Sequence, residues 1–319
     1  MSARSLRLGS RKSALAMTQS RGILADLELI RPGNRIELVP IVTTGDQTQS
    51  VAFDSVGTVG MFVTEIERAM LDDRIDLAVH SLKDLPTVMT PGLVIGAVPP
   101  RVNPFDVLIW RTPGGGDHLA VPRLGTGSPR RAAQLLTRWP GAAILPLRGN
   151  VDTRLKRLDA GDLDGIVLAA AGLERLGLLA GLEAAGRLEF LDALKMVPSP
   201  GQGCLGIQCR EADLDTRAWL LELDDPPSRA AALAERALLA ALGGGCHAPI
   251  AAFAHVTDGA PPRLQLLGLV VSLDGRTSLR ESSDGPIEDP TTLGVRVAQA
   301  LFAAGAGPIL GIAGVVEPE

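Results

Sequence analysis

The stretch IDLAVHSLKDLP, residues 75–86, joins an uninterrupted apolar run to a polar cluster that follows it directly. A short apolar run of this kind is typical of a strand buried on both faces. Further strand-like runs lie on both sides, separated by stretches with apolar residues at helical spacing: strands at 6–8, 36–42 and 93–98, helices from about 13 and at 62–71. This alternation predicts a parallel, doubly wound α/β sheet with ligands beyond the carboxyl ends of its strands.

Two Pro-rich stretches divide the chain. After PPRVNP, residues 99–104, the strand–helix alternation restarts with the strand FDVLIW. After VPSPGQG, residues 197–203, the strand CLGIQCR is expected to return to the first sheet. The chain therefore consists of two α/β lobes and a third part with a different pattern.

The last third indicates α+β structure. An Ala/Leu-rich helix capped by Ser228 precedes three alternating strands, which predict an antiparallel sheet, and a final helix over residues 290–304. Gly and Pro interrupt the apolar tail around residues 300–316, which favours a helix plus a strand over a membrane span. We expect three domains: residues 1–99 with 200–217, residues 104–196, and residues 222–319.

Composition narrows the function. Hydrophobic residues make up 46% of the chain, charged residues 21%, and the formal net charge is −5, which argues against general nucleic-acid or anionic-membrane binding. Aromatic residues make up only 3%, so stacking platforms for single-stranded nucleic acid are not expected. Three cysteines form no disulfide framework, which favours a reducing cytoplasm. The N-terminal segment contains no acidic residue before Asp26 and could be a transit peptide, but a strand followed by a helix explains its pattern better.

The sharpest strand-end motif is GTGSPRR, residues 125–131. Ser128 is a favoured N-cap and Pro129 suits the first helical position, so a helix should start here with its positive dipole end free. Arg130 and Arg131 oppose that dipole, which suggests a bound anion. The alternative is a solvated pair of arginines.

Further arginines follow other strands of the second lobe, at Arg148, Arg154 and Arg175. Arginine binds carboxylates through two parallel hydrogen bonds, so several arginines at one sheet edge favour a ligand with several carboxylates. Neither a Walker A motif nor GxGxxG follows a strand, which makes a nucleotide phosphate the weaker choice.

Asp84 lies among His80, Ser81 and Lys83, directly after the apolar strand. A carboxylate there could exchange protons or pair with a cationic transition state. It could equally be a turn cap before Pro86, and the residue pattern leaves both readings open.

Cys246 stands in the loop GGGCHAPI, residues 243–250, after a helix C-terminus. The helix dipole there raises a thiol pKa, so the local pattern favours an ordinary loop cysteine over a nucleophile. Cys204 and Cys209 lie on opposite faces of a strand and the histidines are scattered, so no metal site is predicted.

Seven motifs, taken together, resemble the porphobilinogen deaminase (hydroxymethylbilane synthase) family in order and spacing, from about residue 6 to residue 250. They are LGSRKSALAMTQ, VHSLKDLPT, GTGSPRRAAQL, LRGNVDTRL, AAAGLERLGL, GQGCLGIQCR and ERALLAALGGGCHAPI.

The resemblance implies an enzyme, a transferase that joins four porphobilinogen molecules head to tail with loss of ammonia and releases hydroxymethylbilane for haem biosynthesis. It implies a covalent dipyrromethane cofactor on Cys246, with Asp84 and Lys83 as catalytic residues. The implied cofactor-binding residues are Ser13, Lys83, Asp84, Ser128, Arg130, Arg131, Arg148 and Arg154. The implied substrate-binding residues are Arg11, Ser13, Gln19, Phe62, Arg148, Arg154 and Arg175. A cytoplasmic monomer without metal, nucleic acid or membrane partners is expected.

The chain departs from the family at three places. Ala240 and Ala241 replace more polar residues just before the loop that carries Cys246. The expected lid, residues 54–62, contains no lysine, and Cys204 stands where many relatives have a small residue such as alanine. Two other classes share part of the pattern. A two-lobed anion-binding protein would share the α/β lobes, which are of the periplasmic-binding-protein kind, but would carry an export signal. A cysteine hydrolase using Cys246 would need no polycarboxylate site.

Overall fold

The structure of the protein is a computed structural model that describes residues 5–42, 63–116, 119–245 and 248–316. The chain divides into two compact units. The first comprises Met1–Arg101 and Cys204–Arg229, and the second comprises Val102–Gly203 and Ala230–Glu319. Within the described residues the first unit contains one β-sheet and the second contains two. The three predicted groups of strands are present, and the finer boundaries of three domains stay a prediction.

The strands, in chain order, are β1 Ser5–Arg11, β2 Arg35–Ile41, β3 Leu77–Ser81, β4 Leu93–Ala97, β5 Asp106–Trp110, β6 Arg123–Gly125, β7 Ala143–Leu145, β8 Gly165–Ala169, β9 Leu188–Leu191, β10 Leu205–Arg210, β11 Ile250–Val256, β12 Leu264–Val271 and β13 Ser278–Gly285. The α-helices are α1 Ala14–Ile30, α2 Thr64–Leu71, α3 Pro129–Arg138, α4 Val151–Asp159, α5 Ala170–Arg175, α6 Leu179–Ala184, α7 Leu214–Leu220, α8 Pro226–Ala241, α9 Pro290–Leu301 and α10 Gly307–Leu310. A 3₁₀ turn spans Leu82–Asp84 and a π-helical turn spans Phe302–Ala306.

The first sheet has the strand order β2-β1-β3-β10-β4. Strand β1 runs parallel to β2 and β3, as the alternation of strands and helices predicts. Strand β10 runs antiparallel to both β3 and β4. The predicted return of CLGIQCR to the first sheet is therefore confirmed, but the sheet is mixed rather than wholly parallel.

The second sheet repeats this topology with the order β7-β6-β8-β5-β9. Strand β6 is parallel to β7 and β8, and β5 is antiparallel to β8 and β9. In each sheet, the strand that follows a Pro-rich crossing segment is fourth in the strand order and runs antiparallel to both of its neighbours. This strand is β10 in the first sheet and β5 in the second. The predicted pair of α/β lobes is confirmed, and each sheet brings the carboxyl ends of its parallel strands to one edge.

The third sheet is antiparallel, with the order β11-β12-β13, as predicted for the last third. Helix α9 packs against it because Leu293, Val297 and Leu301 recur at helical spacing and are almost fully buried. The segment Pro290–Leu310 has the length and apolarity of a membrane span. Its apolar side chains belong to this core, and Gly305, with a φ of 105°, interrupts the helix.

Two local predictions for the last third are wrong. Residues 302–310 continue the helix as a π-helical turn and a short helix, and the described chain up to residue 316 contains no strand there. Helix α8 is capped by Asp225, whose Oδ2 accepts a hydrogen bond from Ser228 N at 2.9 Å. The Ser228 hydroxyl instead accepts a hydrogen bond from Arg101 N at 2.9 Å.

One buried carboxylate joins three strands of the first unit. Asp76, which is 6% exposed, accepts hydrogen bonds from the Arg7 backbone and guanidinium and from Arg210 Nη2, the latter at 2.8 Å. Burial opposes ionisation of this carboxyl, but the hydrogen bonds from Arg7 and Arg210 outweigh it and lower the pKa of Asp76. The ion pairs therefore fix the start of β1 against β3 and β10.

We expect Asp76→Asn to lower the free energy of unfolding by roughly 1–3 kcal/mol at pH 7, since the half-buried guanidinium groups of Arg7 and Arg210 lose their charged, buried partner. Because the folded-state pKa of Asp76 is lowered, its contribution is present above the unfolded pKa and is lost as pH falls through the folded value. Urea unfolding at pH 7 and below pH 4 measures the effect, and the difference between wild type and variant should shrink in acid.

The matched control is Asp72→Asn. Asp72 is exposed and lies 3.7 Å from Arg74, so its loss should change the unfolding free energy by less than about 1 kcal/mol. A difference between wild type and Asp76→Asn that is independent of pH would contradict the assignment.

Candidate active site

The turn after β3 holds Lys83 and Asp84 on a fixed base. Leu82 and Leu85 on either side are 1% and 3% exposed, so their side chains anchor the turn in the core. Leu82 N donates to Cys204 O at 3.0 Å, which ties the turn to the segment entering β10. Lys83 is half-buried and Asp84 is exposed, so both charged residues are carried at the edge of the sheet.

The Asp84 carboxylate accepts no hydrogen bond from the part of the chain that the structure describes. A capping carboxylate would accept one from a nearby backbone N–H. The geometry therefore removes the turn-cap reading and leaves a carboxylate that is presented to solvent on a rigid support.

Helix α1 supplies the neighbouring polar residues at this edge. Ser13 caps the helix, its hydroxyl accepting from Ala16 N at 3.4 Å. Gln19 is 6% exposed and donates to Ser81 Oγ at 3.0 Å, so it links α1 to the end of β3. The structure thus gives both predicted ligand-binding residues a local structural contact, and it brings them to the same sheet edge as Lys83.

A buried polar row beside this edge was not predicted from the sequence. His80 is 6% exposed, and burial lowers its pKa to about 4, with the charge of Arg11 acting in the same direction. Gln208, on the same sheet face, donates to Glu67 Oε1 at 2.7 Å, and Glu67 Oε2 accepts from Thr90 Oγ1 at 2.7 Å. His80 is therefore neutral near pH 7. The only signal in the sequence is that polar residues interrupt two otherwise apolar strands.

In the second unit, helix α3 begins as the sequence predicts. Ser128 Oγ accepts a hydrogen bond from Arg131 N at 3.4 Å, and Pro129 occupies the first turn. The helix N-terminus lies at the carboxyl end of β6, because only residues 126–128 separate the two elements. This confirms the predicted helix start, where a positive dipole end meets the sheet edge.

The side chains of Arg130 and Arg131 point inward to one carboxylate. They are 5% and 7% exposed, and each donates from Nη2 to Asp106 at 2.7 Å. Arg130 Nη1 also donates to Val197 O, and Arg131 Nη1 donates to Val167 O. The anion that these first-turn arginines imply is therefore supplied within the chain itself, and the solvated-pair reading is wrong.

The cluster keeps its charges. Burial opposes ionisation of Asp106, but the charges of Arg130 and Arg131 outweigh it and hold the pKa of that carboxyl far below its usual range. Two arginines against one carboxylate leave one positive charge in excess among these three residues. Arg131 Nε is also buried without a hydrogen-bond partner among the described residues. The cluster therefore carries one unmatched positive charge and one unsatisfied donor among the described residues.

The other predicted arginines lie at the same edge of the second sheet, beyond β7 and β8. Arg148 is exposed directly after the buried Leu147. Arg154 Nε donates to Gly149 O at 2.8 Å, and Arg175 Nη2 donates to Gly203 O at 2.8 Å. The structure thus groups all predicted cationic residues of the second lobe at one edge.

Three predicted features lie outside the described residues: Cys246, Phe62 and the lid, residues 54–62. The described residues on either side of Cys246 are joined, since Ala248 N donates to Gly245 O at 3.0 Å. Gly243, just after α8, has a φ of 60°, a conformation that favours glycine. In the described part of the chain no group of three metal-ligating side chains occurs.

Comparisons with known proteins agree on one family. Residues 6–218 match the model described as "Porphobilinogen deaminase, dipyromethane cofactor binding domain", and residues 230–303 match "Porphobilinogen deaminase, C-terminal domain". Porphobilinogen deaminase of Syntrophotalea carbinolica is 44% identical over 314 residues, covering 97% of this chain and 96% of the relative. The enzyme of Bacillus subtilis is 41% identical, covering 96% of both chains, and that of Acidothermus cellulolyticus is 45% identical, covering 96% and 91%.

These matches span both units and nearly the whole length of the relatives. With the arginine-rich edge and the exposed carboxylate in place, the chain belongs to the porphobilinogen deaminase family.

Proposed function

We propose that Asp84 is the catalytic carboxylate with which this chain joins four porphobilinogen molecules head to tail, on a dipyrromethane held by Cys246. The observation that carries the assignment is the exposed Asp84 carboxylate on a turn fixed by two buried leucines. In each round the C–N bond of a porphobilinogen aminomethyl group breaks and ammonia leaves. The methylene carbon then bonds to the terminal pyrrole of the chain, which loses a proton, and one water molecule completes the released hydroxymethylbilane.

Asp84 stabilises the cationic species that form in these reaction steps. Loss of ammonia leaves positive charge on the substrate pyrrole. A carboxylate that is already held in position stabilises such charge effectively, because it need not reorganise during the reaction. The core side chains of Leu82 and Leu85 hold the backbone of the turn in place, so Asp84 meets this requirement. Lys83, next to it, is the neighbouring cation for a ligand carboxylate.

Carboxylate binding belongs to the edge of the second sheet. Each porphobilinogen brings one acetate and one propionate group, so a growing chain adds two negative charges in every round. The excess positive charge of the Arg130, Arg131 and Asp106 cluster and the exposed Arg148 suit such a ligand. Arg154 and Arg175 lie along the same edge and complete the set.

The same edges would hold the cofactor. When bound, dipyrromethane supplies the pyrrole carbon to which the first substrate unit is joined. Its own carboxylates fit the cationic residues of the second unit, and Ser128 and the N-terminus of α3 offer further donors. Ser13 and Arg11 of the first unit are proposed as additional carboxylate contacts, and Gln19 and Phe62 as substrate contacts.

The proposal includes a cytoplasmic monomer without nucleic-acid or membrane partners. The net charge of −5 supports it, because polyanionic surfaces attract basic patches rather than acidic proteins. The described cysteines, Cys204 and Cys209, are buried and form no disulfide bond, which supports a reducing compartment.

We expect Asp84→Asn to reduce kcat by at least about a hundredfold, because the neutral amide cannot balance charge that develops on the substrate. Steady-state formation of hydroxymethylbilane measures the loss. The intact mass of the variant should still include the cofactor, and the exposed Asp72→Asn should retain normal turnover. Near-normal rates for Asp84→Asn would remove Asp84 from the mechanism.

We expect intact mass under denaturing conditions to exceed the chain mass by two linked pyrrole units, and we expect Cys246→Ser to abolish this excess. A serine hydroxyl is a far weaker nucleophile than a thiol and cannot form the thioether. Cys204→Ala is the matched control, since it removes a buried thiol and should keep the excess. A bare chain mass in freshly purified, active wild-type protein would contradict the assignment.

A further inference from the structure

Two consecutive residues of the second unit, Gly201 and Gln202, lie between two buried carboxylates. Glu235 of α8 is fully buried, and its Oε2 accepts a hydrogen bond from Gly201 N at 2.6 Å. Its Oε1 accepts one from Ala254 N of β11 at 2.7 Å. Helix α8 is thus fixed both to the third sheet and to the backbone at residue 201.

The next residue carries the connection to the arginine pair. Gln202 is 1% exposed, and its Nε2 donates to Asp106 Oδ1 at 2.9 Å and to Pro104 O at 2.8 Å. Asp106 Oδ1 is the oxygen that also accepts from Arg131, while Oδ2 accepts from Arg130. Gln202 therefore helps to fix the orientation of the carboxylate that holds both guanidinium groups.

The backbone around this dipeptide has little room to shift. Gly203 has a φ of 89°, and a Cβ there would lie 2.6 Å from Val102 O. Gln202 N donates to Ser199 O at 2.9 Å, which closes a turn in the same segment. Because the backbone is packed and hydrogen-bonded on both sides, the two side-chain connections act over a nearly constant distance.

We propose that Gly201–Gln202 is a positioning bridge that keeps the Arg130–Arg131 pair at a fixed distance from helix α8. Cys246 follows α8 five residues beyond its last residue, Ala241. A ligand tethered at one point and bound through its carboxylates at another needs both points in register, since a misplacement of about 1 Å costs roughly a hundredfold in reactivity. Gln202 acts through Asp106, so it is a positioning residue. The inference rests on the proposed function of Cys246 and the arginines.

The opposing explanation is that Gln202 only stabilises the fold. A buried hydrogen bond to a charged group stabilises the folded state, so its loss lowers Tm whatever its effect on reactivity. Gln134 on α3 separates the two explanations. It is 7% exposed, exchanges two hydrogen bonds with the Val197 backbone at 3.0 and 2.8 Å, donates to Arg130 O at 3.4 Å, and makes no hydrogen bond to Asp106 among the described residues.

The test compares Gln202→Met with Gln134→Met in the full-length chain. Methionine keeps the length and volume of glutamine and removes its hydrogen bonds. The chain is produced without porphobilinogen, the compound is then added, and denaturing mass spectrometry follows the gain of two pyrrole units with time. Thermal unfolding of the same samples reports stability.

We expect both variants to lose a few degrees in Tm, and only Gln202→Met to gain mass at least tenfold more slowly than wild type. Gln134→Met should stay within about twofold of the wild-type rate. If Gln202→Met fails to fold, Gln202→Asn provides a second test. Asparagine keeps the amide group, but its side chain is one methylene too short to reach Asp106. It should slow the mass gain as well.

Equal rates of mass gain in the two methionine variants, or a wild-type rate in Gln202→Asn, would overturn the positioning bridge while leaving the proposed function intact. A wild-type chain that gains no mass from porphobilinogen would overturn the proposed function and the bridge together.

Discussion

A single buried carboxylate, Asp106, sets the arrangement of the second unit. It is fully buried and pairs with two arginines that the first turn of α3 would otherwise carry against the helix dipole. Without it, two cations would lie in a low-dielectric interior at a cost of several kcal/mol each. With it, the cluster is stable yet retains one positive charge in excess among its three residues.

The first unit holds the exposed Asp84 carboxylate in place by apolar packing. Leu82 and Leu85 insert into the core on either side of Lys83 and Asp84, so the charged residues need no ion pair to fix the turn. The neutral His80 beneath them adds no charge to the site near pH 7. In each unit, buried groups thus fix the backbone that carries the predicted site residues.

Much of the fold and part of the candidate site could be predicted from the sequence, because these features depend on local patterns. The strand at residues 77–81 and the helix start at Ser128 follow from periodicity and capping. Asp106 could not be recognised, since an aspartate at the start of an apolar strand resembles an ordinary turn residue and its partners lie on a distant helix. Gln202 and Glu235 were missed for the same reason. The antiparallel direction of β5 and β10 likewise depends on which sheet the crossing strand joins, which no local pattern encodes.

The place of β10 in the first sheet has a consequence for synthesis of the chain. β10 lies between β3 and β4, so these two strands are not joined into one sheet until residues 205–210 have been made. At a translation rate of about 5–20 residues per second, the interval after β4 is on the order of 5 to 20 seconds. All five strands of the second sheet emerge within that interval. All strands of the second sheet are therefore synthesised before β10, the strand that joins β4 to the rest of the first sheet.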